Sequence, residues 1–86
     1  MLCITHAKYI GEHKIFVRFD DGVEGVADLS DRQWQGMTLP LANEQFFRHF
    51  HVDHGTIVWA NEVDMAPEYF YYKVTGKYPE GESHNE

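Results

Sequence analysis

Apolar and polar residues alternate along the first third of the chain with the two-residue period of β-strands. Leu2 to Ile10 is an apolar-rich run punctuated by Gly11-Glu12-His13; Lys14 to Phe19 alternates, and Val23 to Leu29 follows Asp20-Asp21-Gly22. Register discriminates between the possible turns, because a one-residue slip moves every side chain to the opposite face. A two-residue loop at Asp21-Gly22 would set Phe19 opposite Glu24 and Ile15 opposite Asp28. A three-residue loop with Gly22 left-handed sets Phe19 opposite Val23, Ile15 opposite Ala27, and Arg18 across from Glu24. The three-residue loop is therefore predicted. It gives an inner face of Ile15, Val17, Phe19, Val23, Gly25, Ala27 and Leu29. The outer face carries Phe16, Arg18, Glu24, Val26 and Asp28, with Phe16 and Val26 as an apolar pair.

Farther along, the pattern predicts short helices and a second hairpin. Ser30-Asp31-Arg32-Gln33 has capping-box form and Gly36 stops what it starts, giving one or two helical turns. Met37 to Leu41, which contains Pro40, reads as a connector tucking Leu39 and Leu41 inward. Asn43 caps a second helix whose apolar face is Phe46, Phe47 and Phe50. Val52 and Thr56 to Trp59 form a second hairpin around a three-residue loop, Asp53-His54-Gly55. The recurring D-x-G is no sign of an internal repeat, since the flanking residues differ. The last helix has the firmest ends: Pro67 at its first position, Glu68 at the positive pole, Lys73 and Lys77 at the negative pole, and Gly76 just beyond. Phe70 and Val74, four apart, point inward, which leaves some of Tyr69, Tyr71 and Tyr72 at a boundary or interface. These elements make an α+β fold: a small antiparallel sheet of two β-hairpins plus an N-terminal strand, packed with two or three short helices. Residues 1–78 form the single domain, and 79–86 a disordered acidic tail.

Composition narrows the function classes. Eighty-six residues with a net charge of −7 suit one small domain without the basic patch of a direct nucleic-acid binder. A single cysteine, Cys3, closes no intrachain disulfide. No run approaches the roughly 18 apolar residues of a membrane span, so a cytoplasmic protein without membrane contact is expected. A domain this small gains from burying aromatics against a second copy, so a homodimer is expected alongside contacts to other proteins.

The candidate chemistry is sparse. His49-Phe50-His51-Val52-Asp53-His54 reads H-x-H-x-D-H, a zinc-ligand pattern in much larger hydrolases. Further ligands are missing downstream, where His84 is the only later histidine; a mononuclear site through His49, His51, Asp53 and His54 remains an alternative. Cys3 reads as an inert apolar residue, and the seven glycines are scattered at turns rather than in a phosphate loop. No catalytic residue and no cofactor is expected, and the protein is read as a non-enzyme. Asp64 is expected to cap the last helix. The partner-binding surface is expected at Trp59, Asn61, Asp64, Glu68, Tyr69, Tyr71 and Tyr72, facing a basic or aromatic-accepting protein.

Two stretches then carry a resemblance: F-D-D-G-V-E-G-V-A-D-L from Phe19 to Leu29, and Val52-Asp53 followed by Thr56-Ile57-Val58-Trp59-Ala60-Asn61-Glu62-Val63-Asp64-Met65-Ala66-Pro67-Glu68. With the helix around Phe46 and Phe47 they make the chain similar to a family of short bacterial proteins classed as a domain of unknown function, number twenty-four forty-two. In that family the second stretch typically reads V-D, T-x-x-W-P-N-G-x-D-x-A-P-E. Ala60 stands for the usual proline and Glu62 for the usual glycine, so the turn after Trp59 is expected to differ in shape. The resemblance implies a compact α+β domain and, from the gene layout of relatives, an antitoxin-like partner of a neighbouring small protein. It supplies no catalytic residues. Some relatives carry a helix-turn-helix domain after this one; the present sequence ends soon after Gly76, so any DNA role is expected to be indirect. Three functions follow: a protein-interaction module, a small-ligand-sensing accessory domain of transcription regulation, or a zinc-binding protein.

Overall fold

A computed structural model describes residues 1–79 of the chain. Strands β1 (Ile4–Gly11), β2 (Lys14–Phe19) and β3 (Glu24–Asp28) form one antiparallel sheet in that order. Strands β4 (Phe50–Asp53), β5 (Thr56–Trp59) and β6 (Asp64–Met65) form a second. A 3-10 segment (Gly36–Ala42) and the single-turn α1 (Glu44–Phe47) connect the sheets, and α2 (Pro67–Thr75) ends the chain's regular structure. The class is α+β, with two three-stranded sheets where one sheet was expected. Of the tail expected over 79–86, residues 80–86 lie outside the described residues.

The first hairpin has the expected register. Ile15 lies opposite Ala27 and Arg18 opposite Glu24, and the Phe19 and Gly22 amides close the loop onto Val23 O (2.8 Å) and Phe19 O (3.0 Å). Gly22 has φ +92°, the left-handed conformation that the extra residue demands. Arg18 Nε sits 2.6 Å from Glu24 Oε1 on the outer face.

The second hairpin corrects the expectation of a three-residue loop. Asp53 pairs with Thr56 across a two-residue turn, His54-Gly55, in which both residues have positive φ. This choice puts Val52 opposite Ile57 and Phe50 opposite Trp59, apolar on apolar, where the longer loop would have set Val52 opposite Thr56.

The two sheets share one plan. Each is a meander whose first turn has two residues with positive φ, Glu12-His13 or His54-Gly55, and whose second turn has three residues. In the second sheet Trp59 N–H donates to Val63 O (2.9 Å) and Glu62 N–H to Trp59 O (2.8 Å), repeating the bonds of Phe19, Gly22 and Val23. Asn61 Oδ1 accepts from Val63 N–H as Asp21 Oδ1 does from Val23 N–H. The meander is thus repeated in backbone geometry although the flanking sequences differ. Glu62 keeps that loop shape by taking φ +68°, a conformation in which a Cβ costs about 1 kcal/mol. Glu62→Gly should therefore raise stability by about 0.5–1 kcal/mol, read as a rise of a few degrees in thermal melting.

Three helical expectations are also corrected. Ser30 to Gln33 is not helical: Arg32 lies over the rings of Trp34 (5.5 Å) and Tyr69 (5.2 Å), and Asp31 binds Lys73 Nζ (3.0 Å). These side-chain contacts draw the segment onto α2. Gly36, at φ +59°, opens the 3-10 segment rather than stopping a helix. Leu41 is buried as expected, but Leu39 points outward, and Phe50 belongs to β4 rather than to the helix. Asn43 does cap α1, accepting from Gln45 N–H at 2.8 Å. Pro67 and Gly76 bound α2 as the sequence indicated, with Gly76 at φ +85°.

The core lies between the inner faces. Ile15, Val17, Phe19, Ala27 and Leu29 come from the first sheet, Ile57, Trp59 and Met65 from the second, and Leu41, Phe47 and Phe70 from the helical segments. Helix α2 closes directly on β3 because Gly25 lacks a Cβ, which would stand 2.8 Å from Val74 Cγ1. The sheets join at the Ile4 amide, which donates to Gly55 O at 3.0 Å.

Candidate functional site

The residues expected to meet a partner are divided by the fold. Trp59 is not available: it is 1% exposed, and its indole N–H donates to Phe47 O at 2.7 Å. Its place on the inner face of β5 follows from the alternation Ile57 in, Val58 out, Trp59 in. Asp64 is exposed on β6 and does not cap α2, whose N-cap is Ala66 without a side-chain bond. Glu68 occupies the first turn of α2, half-buried. Tyr69 supports Arg32, and Tyr71 packs on Phe19 with its hydroxyl donating to Asp21 Oδ2 at 3.1 Å. That bond to Asp21, then burial and the Asp21 charge, push the Tyr71 phenol above its usual range. Tyr72 is 41% exposed and stacks on Tyr78 with centroids 4.7 Å apart. Asn61 holds the second sheet's loop against the 3-10 segment, its Nδ2 donating to Met37 O at 3.2 Å.

The histidine segment does not form a cage. His49, His51, Asp53 and His54 are all exposed. Strand geometry puts His51 and Asp53 on one face of β4, and the turn brings His54 Nδ1 to 2.9 Å from Asp53 Oδ1. Among the described residues, no three His, Cys, Asp or Glu side chains converge as a metal would need.

A polar cluster that the sequence pattern did not single out lies elsewhere, around Glu44. Tyr9 OH donates to Glu44 Oε2 (2.5 Å), His13 N–H to the same oxygen (3.2 Å), and His13 Nδ1 lies 3.0 Å from Oε1. His13 Nε2 meets Leu41 O at 2.7 Å. Both ring nitrogens of His13 thus face oxygens of the protein itself. The ring is packed between Phe47 (4.5 Å) and Trp34 (5.5 Å), and Arg48 covers Tyr9 at 5.4 Å. With both ring nitrogens engaged inside the protein, the imidazole offers no free lone pair to a substrate. The cluster is a clasp tying the β1–β2 turn to the start of α1. Sequence separation of 31 residues between His13 and Glu44 hides it from any local pattern, and the positive φ of His13 at +58° is visible only in the fold.

The clasp predicts a pH dependence. Burial alone would raise the Glu44 pKa, but the bonds from Tyr9 and the His13 amide, with the charges of His13 and Arg48, outweigh it and hold the carboxyl below its ordinary value. A carboxyl depressed in the folded state contributes stability above its unfolded pKa of about 4.3, and loses it as pH falls through the lower folded value. Glu44→Gln should therefore flatten the acid limb of the stability curve below about pH 4.3 relative to wild type. Parallel acid limbs in urea titrations of the two proteins would contradict this.

An exposed apolar pair stands on the 3-10 segment. On the 3-10 segment Met37 is 71% and Leu39 58% exposed, although the backbone beneath them is pinned. Thr38 Oγ1 donates to Gln35 O (2.7 Å) and accepts from Gln35 N–H (3.1 Å), Asn61 holds Met37 O, and Asn43 N–H donates to Pro40 O. Two large apolar side chains are thus held in water by a stapled turn beside the loop that carries Glu62. Burial of such side chains stabilises by roughly 1.5–3 kcal/mol each.

Comparison with known proteins places the chain. The family described as protein of unknown function DUF2442 matches residues 4–76, and the chain belongs to it. No curated protein and no solved structure matches the chain. No helix among the described residues is long and apolar enough to cross a membrane.

Proposed function

We propose that the protein is an interaction module, an antitoxin-like partner of another small protein, with Met37 and Leu39 at the centre of its contact face. The observation that carries the reading is their exposure on a backbone held by Thr38, Asn43 and Asn61. A preformed apolar projection loses little conformational freedom on docking, so burial turns into affinity efficiently, and methionine adapts to the shape it meets. The loop that grips Met37 carries the exposed Glu62, and the chain's net charge of −7 favours a partner with an apolar cleft and a basic rim.

The reading is tested by a tagged Met37→Ser/Leu39→Ser variant isolated from the protein's own host beside the wild type. Both side chains are solvent-facing, so the variant should melt within a few degrees of wild type. It should lose the stoichiometric companion protein that the wild type retains, with affinity falling at least about 100-fold for some 3 kcal/mol of lost burial. Equal retention by both proteins would remove this face from the function.

A further inference from the structure

Strand β3 is an edge of the first sheet, paired only with β2 among the described residues. Phe19 N–H donates to Val23 O at one end of the β2–β3 ladder, and the Leu29 amide donates to His13 O at the other. The alternation between these points directs the backbone of Val23, Gly25, Ala27 and Leu29 toward β2. The amides and carbonyls of Glu24, Val26 and Asp28 therefore point away from the sheet. Among the described residues none of these three amides has a partner. Glu24 and Asp28 are exposed, and Val26 is 45% exposed. Helix α2 does not cover this edge, because it packs on the inner face through Val74 and Gly25. The edge of β1 differs, lying toward the second sheet where Ile4 bonds Gly55.

We infer that β3 accepts an extended basic strand from a protein partner, paired antiparallel along Glu24, Val26 and Asp28. Three observations define the occupant. First, side chains 24, 26 and 28 share the outer face with Phe16 and Arg18, so the partner residues opposite them alternate on that face. Second, an apolar residue opposite Val26 covers the Val26–Phe16 pair, while basic residues meet Asp28 and Glu24. The required pattern is basic-x-apolar-x-basic. Third, a second copy of this strand is disfavoured, because two-fold pairing about Val26 sets Glu24 against Asp28 twice, and like charges directly opposed are destabilising. Residues 20 to 31 contain Asp20, Asp21, Glu24, Asp28 and Asp31 and no Lys or Arg. Arg18 Nε lies 2.6 Å from Glu24 Oε1, Ser30 bonds Asp28 through both its amide and its side chain, and Lys14 stands opposite Asp28, so the attraction for a basic strand comes from the excess of five carboxylates over residues 20 to 31 rather than from unoccupied carboxylate oxygens. Residues 80–86 carry Glu80, Glu82 and Glu86 without Lys or Arg, the wrong charge to fill the site. Edge addition of this kind takes affinity from main-chain bonds and specificity from alternate side chains.

This surface is separate from Met37 and Leu39, so the two assignments can fail independently. The test uses the full chain labelled with nitrogen-15 and a seven-residue peptide alternating threonine with arginine, valine and arginine. Binding should shift the amides of Glu24, Val26 and Asp28 most and slow their hydrogen exchange. A peptide N-methylated at the bonds facing the protein should bind at least about tenfold more weakly, and the glutamate counterpart should not bind. The Glu24→Lys/Asp28→Lys variant, confirmed folded by its own spectrum, should prefer the glutamate peptide, while Met37→Ser/Leu39→Ser should bind the arginine peptide unchanged. The inference is overturned if no shifts occur at millimolar peptide, if they map elsewhere, or if N-methylation or charge reversal leaves binding unaltered.

Discussion

Trp59→Ala should leave the protein largely unfolded at room temperature. Trp59 is 1% exposed, lies 5.6 Å from the Phe47 ring and 6.1 Å from Phe50, and bonds the Phe47 carbonyl. Emptying such a site costs about 3–5 kcal/mol, and the stranded carbonyl adds about 1–3 kcal/mol. A domain of this length has of order 5–10 kcal/mol in total, so the deletion removes most of it. Trp59→Phe keeps the apolar volume but not the N–H, and should stay folded with a loss of about 2 kcal/mol. Circular dichroism with urea titration separates the two. An alanine variant that melts near wild type would contradict the buried position of Trp59 and its bond to Phe47 O.

The second large effect is expected at Gly55, where the two meanders meet. A Cβ there would stand 2.7 Å from Cys3 Cβ, 2.8 Å from its Sγ and 3.0 Å from its Cα, and the residue has φ +79°. The backbone conformation costs about 1 kcal/mol and the overlap about 1–3 kcal/mol, so Gly55→Ala should lose about 2–4 kcal/mol. Gly22 provides the control: its φ is +92° but no atom lies within 4 Å of its Cβ position, so Gly22→Ala should lose only the conformational part. Adding Cys3→Gly to Gly55→Ala removes the clashing Cβ and Sγ and should recover part of the loss. Equal destabilisation at Gly22 and Gly55 in urea titrations would show that the close approach carries no energy.

The parts of this structure that could be read from sequence are those where two local signals agree. The β2–β3 hairpin had alternation and a turn glycine, and both demanded the same register. Helix α2 had Pro67 at one end and Gly76 at the other. The same register test would have found the His54-Gly55 turn, since only the shorter loop opposes Val52 to Ile57 and Phe50 to Trp59; the D-x-G resemblance to the first turn concealed it. Strand β6 has two residues, too few for any period to register, and without it the repeated meander is invisible. The Ser30–Gln33 segment shows local preference overridden by tertiary contacts, with Arg32 drawn between two aromatic rings.

The candidate site was less legible, because its parts are assembled from distant segments. Tyr9, His13 and Glu44 look unremarkable in sequence and meet only when the β1–β2 turn closes on α1. Conversely, the histidine segment looked like chemistry but is spread over an exposed strand and turn. From sequence, Met37 to Leu41 reads as a connector with Leu39 turned inward; nothing in an isolated apolar pair tells that its backbone is stapled with the side chains outward. The outer-face pair Phe16 and Val26 was visible from alternation alone, and the open backbone beside it needed the ladder's hydrogen bonds.

The central claim, that this fold serves to engage another protein, is tested most directly by native mass spectrometry of the tagged wild-type chain isolated gently from its own host. The predicted spectrum is dominated by a complex of the chain with one different protein at fixed stoichiometry, absent for the Met37→Ser/Leu39→Ser variant. A spectrum containing only the lone chain, or only copies of itself, would contradict it.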